Sequence, residues 1–132
     1  MTAESTQNFD ALEAQAQRLV ASFVASGASY VAPAVIQPAG LFLDVVGESL
    51  RGRTYVFTDP DGRELCLRPD LTVPTCRVYL ERDPKAETVA RFCYNGPVFR
   101  YQPVGAPQAN AREFRQAGIE LYGARNAVAA DV

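Results

Sequence analysis

The spacing of apolar residues predicts that the chain begins with an amphipathic helix. Apolar residues recur at helical intervals from Leu12 to Val24, and Asp10 and Glu13 stand where a capping box would start a helix. A glycine follows two residues after this pattern ends, as is common beyond a helix C-terminus. We therefore predict a helix over residues 10–25.

The next part of the chain predicts short, extended elements. Residues 30–38 are apolar but contain prolines, which favour a sheet edge or a position outside a sheet over a central strand. Residues 41–46 are typical of a helical turn. The apolar runs 55–58 and 64–67 flank a turn-forming sequence, Asp-Pro-Asp-Gly-Arg, which predicts a β-hairpin.

The remaining pattern predicts one helix followed by long strands. Residues 71–80 have helical periodicity, and Pro74 is tolerable there only within the first turn. Three segments rich in aromatic and β-branched residues predict strands at 90–95, 97–102 and 113–122. The connection over residues 103–111 is longer than a tight turn needs, and such loops often carry function.

These elements together predict an α+β fold. We expect an antiparallel sheet built from the 55–67 hairpin and the 91–123 strands, with the helices at 10–25 and 71–80 packed against it. A chain of 132 residues, 48% of them hydrophobic and 21% charged, has the size and composition of one globular domain.

Charge and composition narrow the range of functions. Thirteen basic and fifteen acidic residues give a net charge of −2, which argues against a domain that binds nucleic acid mainly through its phosphates. Three cysteines without a CxxC pair suggest neither a disulfide framework nor a zinc site, and we expect reduced thiols in a cytoplasmic protein. We expect no secretory signal, no membrane span, no metal and no cofactor, and the absence of histidine removes imidazole chemistry.

Three segments present polar side chains in positions suited to a ligand. Asp70 and Thr72 stand where a strand ends and a helix begins, and a simple capping role at that helix is the alternative for either residue. Arg100 lies on a predicted strand dense in aromatics, where arginine is usually an edge or surface residue. Gln116 and Glu120 alternate with apolar residues and share one strand face with an intervening glycine, a pattern that a solvated face explains equally well.

In combination, these side chains suit a small zwitterion. Carboxylates would bind its ammonium group, and the arginine would bind its carboxylate or a phosphate. The combination therefore predicts a binding site for an amino acid or a related molecule.

The same segments resemble the catalytic domain of class II aminoacyl-tRNA synthetases, and specifically its histidyl branch. Pro-Val-Phe-Arg at 97–100 and Arg-Glu-Phe-Arg-Gln at 112–116 are similar to motif 2, and Leu-Arg-Pro-Asp-Leu-Thr at 67–72 is similar to the histidyl-family segment Leu-Arg-Pro-Glu-Gly-Thr. Residues 30–42 lie where motif 1, the dimer-forming element, is expected. The resemblance implies that residues 1–132 form the N-terminal part of a single synthetase-like domain in which motif 3 is absent.

The resemblance also implies roles for individual residues. Asp70 and Thr72 match the pair that contacts the amino group of histidine, and Arg100 matches the motif 2 arginine on the α-phosphate of ATP. Gln116 and Glu120 match polar contacts to the amino acid. Together these five residues are the predicted histidine-binding or effector-binding set, and no catalytic residue is predicted.

Two departures from the synthetase pattern resemble the regulatory paralogue, the regulatory subunits of ATP phosphoribosyltransferase. Asp70-Leu71 replaces Glu-Gly, and Ala-Asn-Ala at 109–111 replaces the usual Gly-Arg-Tyr. This resemblance implies a non-catalytic subunit that serves the first step of histidine biosynthesis, with a short-form catalytic subunit as partner, histidine as effector and a homodimer through motif 1. A fragment of a histidyl-tRNA synthetase and a ligand-free folding and dimerisation unit remain the alternatives.

Overall fold

The computed structural model describes residues 6–44, 48–103 and 112–124. In chain order, the elements are α1 (Thr6–Ala25), β1 (Ser29–Tyr30), β2 (Ile36–Pro38), α2 (Ala39–Leu43), α3 (Glu48–Arg51), β3 (Val56–Thr58), β4 (Glu64–Leu67), α4 (Thr72–Arg82), β5 (Ala90–Phe99) and β6 (Glu113–Tyr122). The α+β class is therefore confirmed.

Helix α1 is longer at its N-terminus than predicted. It begins at Thr6, so Asp10 and Glu13 lie within the helix and the predicted capping box is wrong. Glu13 instead accepts a hydrogen bond from Gln17 Nε2 at 3.1 Å and pairs with Arg115 on β6. The C-terminal prediction is confirmed, because Gly27 follows the helix with a φ of +105°, a conformation that glycine adopts without strain.

The first sheet contains β1, β5 and β6 in the order β1-β5-β6. Strands β5 and β6 pair antiparallel over ten residues, with Tyr94 opposite Gly118 and Gly96 opposite Gln116. Strand β1 pairs with β5 in parallel. Two of the predicted strands, 90–95 and 97–102, are thus one strand that continues through Gly96 and Pro97. It ends at Phe99, so the prediction that residues 100–102 are part of a strand is wrong.

The second sheet has the order β2-β4-β3 and contains the predicted hairpin. Strands β3 and β4 pair antiparallel, and their turn is closed by the Asp59 N–H, which donates to the Arg63 carbonyl at 2.9 Å. The edge position predicted for residues 30–38 is confirmed, because β2 is an edge strand of this sheet among the described residues and pairs with β4. The predicted helical turn at 41–46 is present in part as α2, and residues 45–47 lie outside the described residues.

A single antiparallel sheet that joins the hairpin to the 91–123 strands was therefore the wrong expectation. The hairpin takes β2 as its third strand, and the first sheet takes β1, a parallel neighbour. Backbone hydrogen bonds link the two sheets at Arg68, whose N–H donates to Val35 and whose carbonyl accepts from Phe99, each at 3.0 Å.

The helices lie on opposite faces of the first sheet. On one face, α1 contacts β5 and β6, and Glu13 pairs with Arg115. On the other face, Tyr79 of α4 packs against Phe92 and against Tyr122, whose ring it stacks on at 4.5 Å. The predicted helix at 71–80 is confirmed as α4, with Pro74 in its first turn.

Candidate functional site

The five predicted residues lie in or beside one short segment, residues 67–72, which leads from the end of β4 to the start of α4. Asp70 precedes the helix and Thr72 is its first residue. Gln116 and Glu120 lie on β6, on the face toward α4, and Arg100 directly follows β5. The structure therefore brings together all five residues, which come from three separate parts of the sequence.

Two of these side chains hold the backbone of the segment. The Leu71 N–H donates to Gln116 Oε1 at 2.7 Å. Arg100 Nε donates to the Pro69 carbonyl at 2.8 Å, and its guanidinium lies over the ring of Phe114 at 5.2 Å from the centroid. Part of the hydrogen-bonding capacity of Gln116 and Arg100 is thus used within the protein.

Tyr94 joins Glu120 to Thr72 across the site. Its hydroxyl donates to Glu120 Oε1 at 3.1 Å and lies 3.5 Å from Thr72 Oγ1. Gly118, opposite Tyr94, provides the room, because a Cβ there would lie 2.6 Å from the Tyr94 hydroxyl oxygen. The space that the glycine leaves on the polar face of β6 is therefore filled by the Tyr94 ring.

Two carboxylates act on the Tyr94 hydroxyl in the site. Burial raises the pKa of Tyr94, and the charges of Glu120 and Asp70 raise it further, against the opposing effect of the hydrogen bond with Thr72. Both carboxylates thus lie within electrostatic reach of one phenol. Within the described residues, neither Asp70 nor Glu120 forms a salt bridge with a lysine or arginine. A cationic group of a ligand would complete this arrangement.

The alternatives left open by the sequence are partly settled by the contacts. Asp70 does cap the helix, because its Oδ1 accepts the Val73 N–H at 3.0 Å. Capping uses one of its two carboxylate oxygens. The polar face of β6 is not a solvated face, since Gln116 and Glu120 are both half-buried while Ile119 on the opposite face is 39% exposed.

Two residues of the site were missed by the sequence analysis. Tyr94 was noted only as part of an aromatic strand, and its role depends on the register that places it opposite Gly118. Arg68 belongs to the segment itself and is 4% exposed, and its position immediately before Pro69 was the signal for it in the sequence. The positions of Tyr94 and Arg68 in the site cannot be predicted without knowing how strands that are distant in the sequence pair.

Other expectations concern the loop, metals and membranes. Residues 104–111 of the motif 2 loop lie outside the described residues. Within the parts that the structure describes, no group of three or more Cys, Asp or Glu residues is placed to hold a metal ion. No described helix is long and apolar enough to cross a membrane.

Several curated relatives share one name. A protein from Chelativorans sp. (strain BNC1), named ATP phosphoribosyltransferase regulatory subunit, is 45% identical over 98 residues, which are 74% of this chain and 24% of that protein. A protein of the same name from Mesorhizobium japonicum is 39% identical over 126 residues, 96% of this chain and 31% of that protein. The chain thus spans less than a third of the length of these relatives.

A solved structure agrees on the fold. The structure of an ATP phosphoribosyltransferase regulatory subunit/histidyl-tRNA synthetase from Bacillus halodurans superposes with a TM-score of 0.76 at 23% identity, covering 98% of this chain and 33% of that one. At this identity the likeness shows the fold alone, a class II synthetase-like core. The family model described as histidyl-tRNA synthetase matches residues 5–132, and on that match the chain belongs to the histidyl-tRNA synthetase family.

Proposed function

We propose that this chain is part of a non-catalytic regulatory subunit of ATP phosphoribosyltransferase, which controls a separate short-form catalytic subunit in the first step of histidine biosynthesis. The observation that carries the proposal is its identity of 39–45% to proteins named as that subunit. A cytoplasmic location is part of the proposal, because reduced cysteines are usual in that compartment.

The site supports free histidine as the regulatory ligand. Asp70 and Glu120 supply negative charge without a cationic partner among the described residues, which suits the ammonium group of an amino acid. Thr72 is exposed beside them and offers a hydroxyl. Feedback regulation then requires only that histidine bind here and change how the subunit acts on its partner.

The carboxylate group of the amino acid would be bound by Arg100 and Gln116. Arg100 uses Nε for Pro69, and its terminal nitrogens have no hydrogen-bond partner among the described residues. A guanidinium with two such nitrogens can bind a carboxylate in bidentate fashion. Gln116 uses its oxygen for Leu71, so its amide N–H₂ is the part that would donate to a ligand.

The direct test is an assay of phosphoribosyl transfer from PRPP to ATP. The protein that carries this chain is mixed with the short-form catalytic subunit of the same organism, and the rate is compared with that of the catalytic subunit alone. We expect the rate to rise at least about tenfold on mixing and to fall when histidine is added. An unchanged rate, with no response to histidine, would contradict the proposal.

A histidyl-tRNA synthetase is the second candidate, favoured by the description of the matching family and by the double name of the Bacillus halodurans protein. This candidate predicts histidine-dependent exchange of pyrophosphate into ATP. We expect no exchange above the rate without histidine. Exchange that requires histidine and is lost in Arg100→Gln would favour the synthetase.

We also propose that the protein forms a homodimer through the motif 1 region, residues 30–42. Apolar side chains in this region are exposed, Tyr30 and Ile36 to 51% each and Val35 to 37%, which is typical of a surface that a partner covers. Light scattering should give the mass of a dimer for the protein and that of a monomer for Ile36→Lys. The mass of a monomer for the unchanged protein would contradict dimer formation and would favour a single-chain folding unit.

A further inference from the structure

The buried guanidinium of Arg68 connects the two sheets directly beside the site. Its Nε donates to the Pro97 carbonyl at 2.9 Å, and its Nη1 donates to the Pro33 carbonyl at 2.6 Å. Its backbone N–H and carbonyl bond to Val35 and Phe99, each at 3.0 Å. Residue 68 is therefore held by four hydrogen bonds, two to the segment that precedes β2 and two to β5.

Gly96 provides the space for this guanidinium. A Cβ at residue 96 would lie 2.5 Å from Arg68 Nη2, and the nearest atom of another side chain would be Leu71 Cδ1 at 3.6 Å. Gly96 is opposite Gln116 in the pairing of β5 with β6, so both lie on the same face of the sheet. The guanidinium of Arg68 thus lies against β5 on the face that carries the site.

Removing the charged Arg68 guanidinium from water costs free energy, and its hydrogen bonds indicate what role it has. Burial lowers the pKa of Arg68, and within the described part of the chain it forms no salt bridge with a carboxylate. Carbonyl groups from two separate segments accept its hydrogen bonds instead, which the fixed donors of a guanidinium permit. The guanidinium therefore holds β5 and the segment that precedes β2 at a fixed distance from each other.

The segment that follows Arg68 is the one on which the site is built. The Pro69 carbonyl is held by Arg100 and the Leu71 N–H by Gln116, with Asp70 between them. We propose that Arg68 is a positioning residue of the ligand site, which fixes residues 69–71 so that Asp70 and Thr72 lie near the Tyr94 hydroxyl to which Glu120 is bound. This inference rests on the proposed function, because histidine is the ligand that the positioned groups serve.

The test is Gly96→Ala, which displaces the guanidinium without changing a residue of the site. We expect hydrogen exchange of the Leu71 and Val73 amides to become about tenfold faster, and the affinity for histidine to fall about tenfold. Gly40→Ala is the matched control, because its Cβ would meet only Asp44 Oδ2, at 3.6 Å. The control should leave both quantities unchanged.

A second variant and a double-mutant cycle separate positioning from general stability. Arg68→Lys keeps the charge but lacks the second fixed donor, so it should have the same two effects as Gly96→Ala. In an Asp70→Asn background, Gly96→Ala should reduce histidine affinity by less than it does in the unchanged protein, because one of the two groups that Arg68 positions has already lost its charge. A merely structural role would leave the full reduction in that background.

The outcomes are distinct from those that test the proposed function. Amide exchange and histidine affinity that are both unchanged in Gly96→Ala and Arg68→Lys would overturn the inference, as would a full reduction of affinity in the Asp70→Asn background. If the unchanged protein does not bind histidine, the proposed function fails and the ligand-directed part of the inference fails with it. The exchange rates need no ligand and would still decide whether Arg68 holds the segment.

Discussion

Two tyrosines that stack on each other differ in how their hydroxyl groups are satisfied. Tyr79 donates to the Thr88 carbonyl at 2.6 Å. The Tyr122 hydroxyl is buried and has no hydrogen-bond partner among the described residues, although its ring lies 4.5 Å from that of Tyr79. A buried polar group without a partner destabilises a fold, whereas a paired one does not.

The first prediction concerns this pair. Tyr122→Phe removes the unpaired hydroxyl and keeps the ring, so the free energy of unfolding should stay the same or rise by up to about 1 kcal/mol. Tyr79→Phe is the matched control and should lower the free energy of unfolding, because it leaves the Thr88 carbonyl without its donor. Urea denaturation measures both variants. A larger loss of stability in Tyr122→Phe than in Tyr79→Phe would contradict the contacts described here.

The second prediction concerns alkaline pH. Burial raises the pKa of Cys66 from 9.0 to about 11, and burial also raises the pKa of Tyr94 and Tyr122. The fold therefore favours the neutral forms, and the unfolded chain loses these protons first as the pH rises. Their contribution to stability is complete below the ordinary thiol pKa and is lost as the pH rises toward the folded value.

We accordingly expect the free energy of unfolding to be lower at about pH 10.5 than at about pH 8. Cys66→Ala cannot ionise at this position, so its decrease between the two pH values should be smaller than that of the unchanged protein. Urea denaturation at each pH provides the measurement. An equal decrease in both proteins would show that the Cys66 thiol makes no contribution.

At the scale of elements, the pairing of β5 with β6 places most of the site. It brings Tyr94 opposite Gly118 and sets Gln116 and Glu120 on the face toward α4. The third prediction is that Gly118→Ala lowers the free energy of unfolding by about 1–3 kcal/mol, because the added methyl group would displace the Tyr94 ring. Ala117→Ser on the opposite face is the control and should cost less. A Gly118→Ala variant as stable as the control would contradict this register.

The same elements show what the sequence can predict. The hairpin and α4 were predicted because turn residues and apolar periodicity act locally. The first turn of α1 was missed, since apolar spacing becomes regular only further along the helix. The continuity of β5 through Pro97 was also missed. The Pro97 carbonyl points away from β6 and accepts a hydrogen bond from Arg68. Because the N–H and C=O of a strand residue point to the same side, the N–H that proline lacks would also have pointed away from β6, and its absence removes no hydrogen bond between β5 and β6.

The residues of the site also include some that the sequence predicted and some that it did not. Asp70, Thr72, Arg100, Gln116 and Glu120 were named from the sequence because they match a family pattern, and the structure brings them to one segment. Tyr94 and Arg68 were missed because their roles depend on strand register and on the junction of two sheets. Local sequence contains no information on either feature.

At the scale of the whole molecule, the site lies where the two sheets meet. The segment at 67–72 leaves the second sheet, and the residues that hold it lie in the first sheet or directly after it, so a ligand bound at the segment would contact both sheets. A ligand that stabilises one arrangement of the two sheets would change the surface that a partner subunit meets. This arrangement gives the proposed regulatory role a physical basis.

The measurement that tests this account most directly is the histidine dependence of phosphoribosyl transfer by the assembled protein and catalytic subunit. Glu120→Gln removes one of the two carboxylates of the site, and we predict that its inhibition curve shifts to at least about tenfold higher histidine. Glu64→Gln, an exposed carboxylate on β4, is the control and should keep the original curve. Identical curves for Glu120→Gln and the unchanged protein would contradict a histidine site on this face.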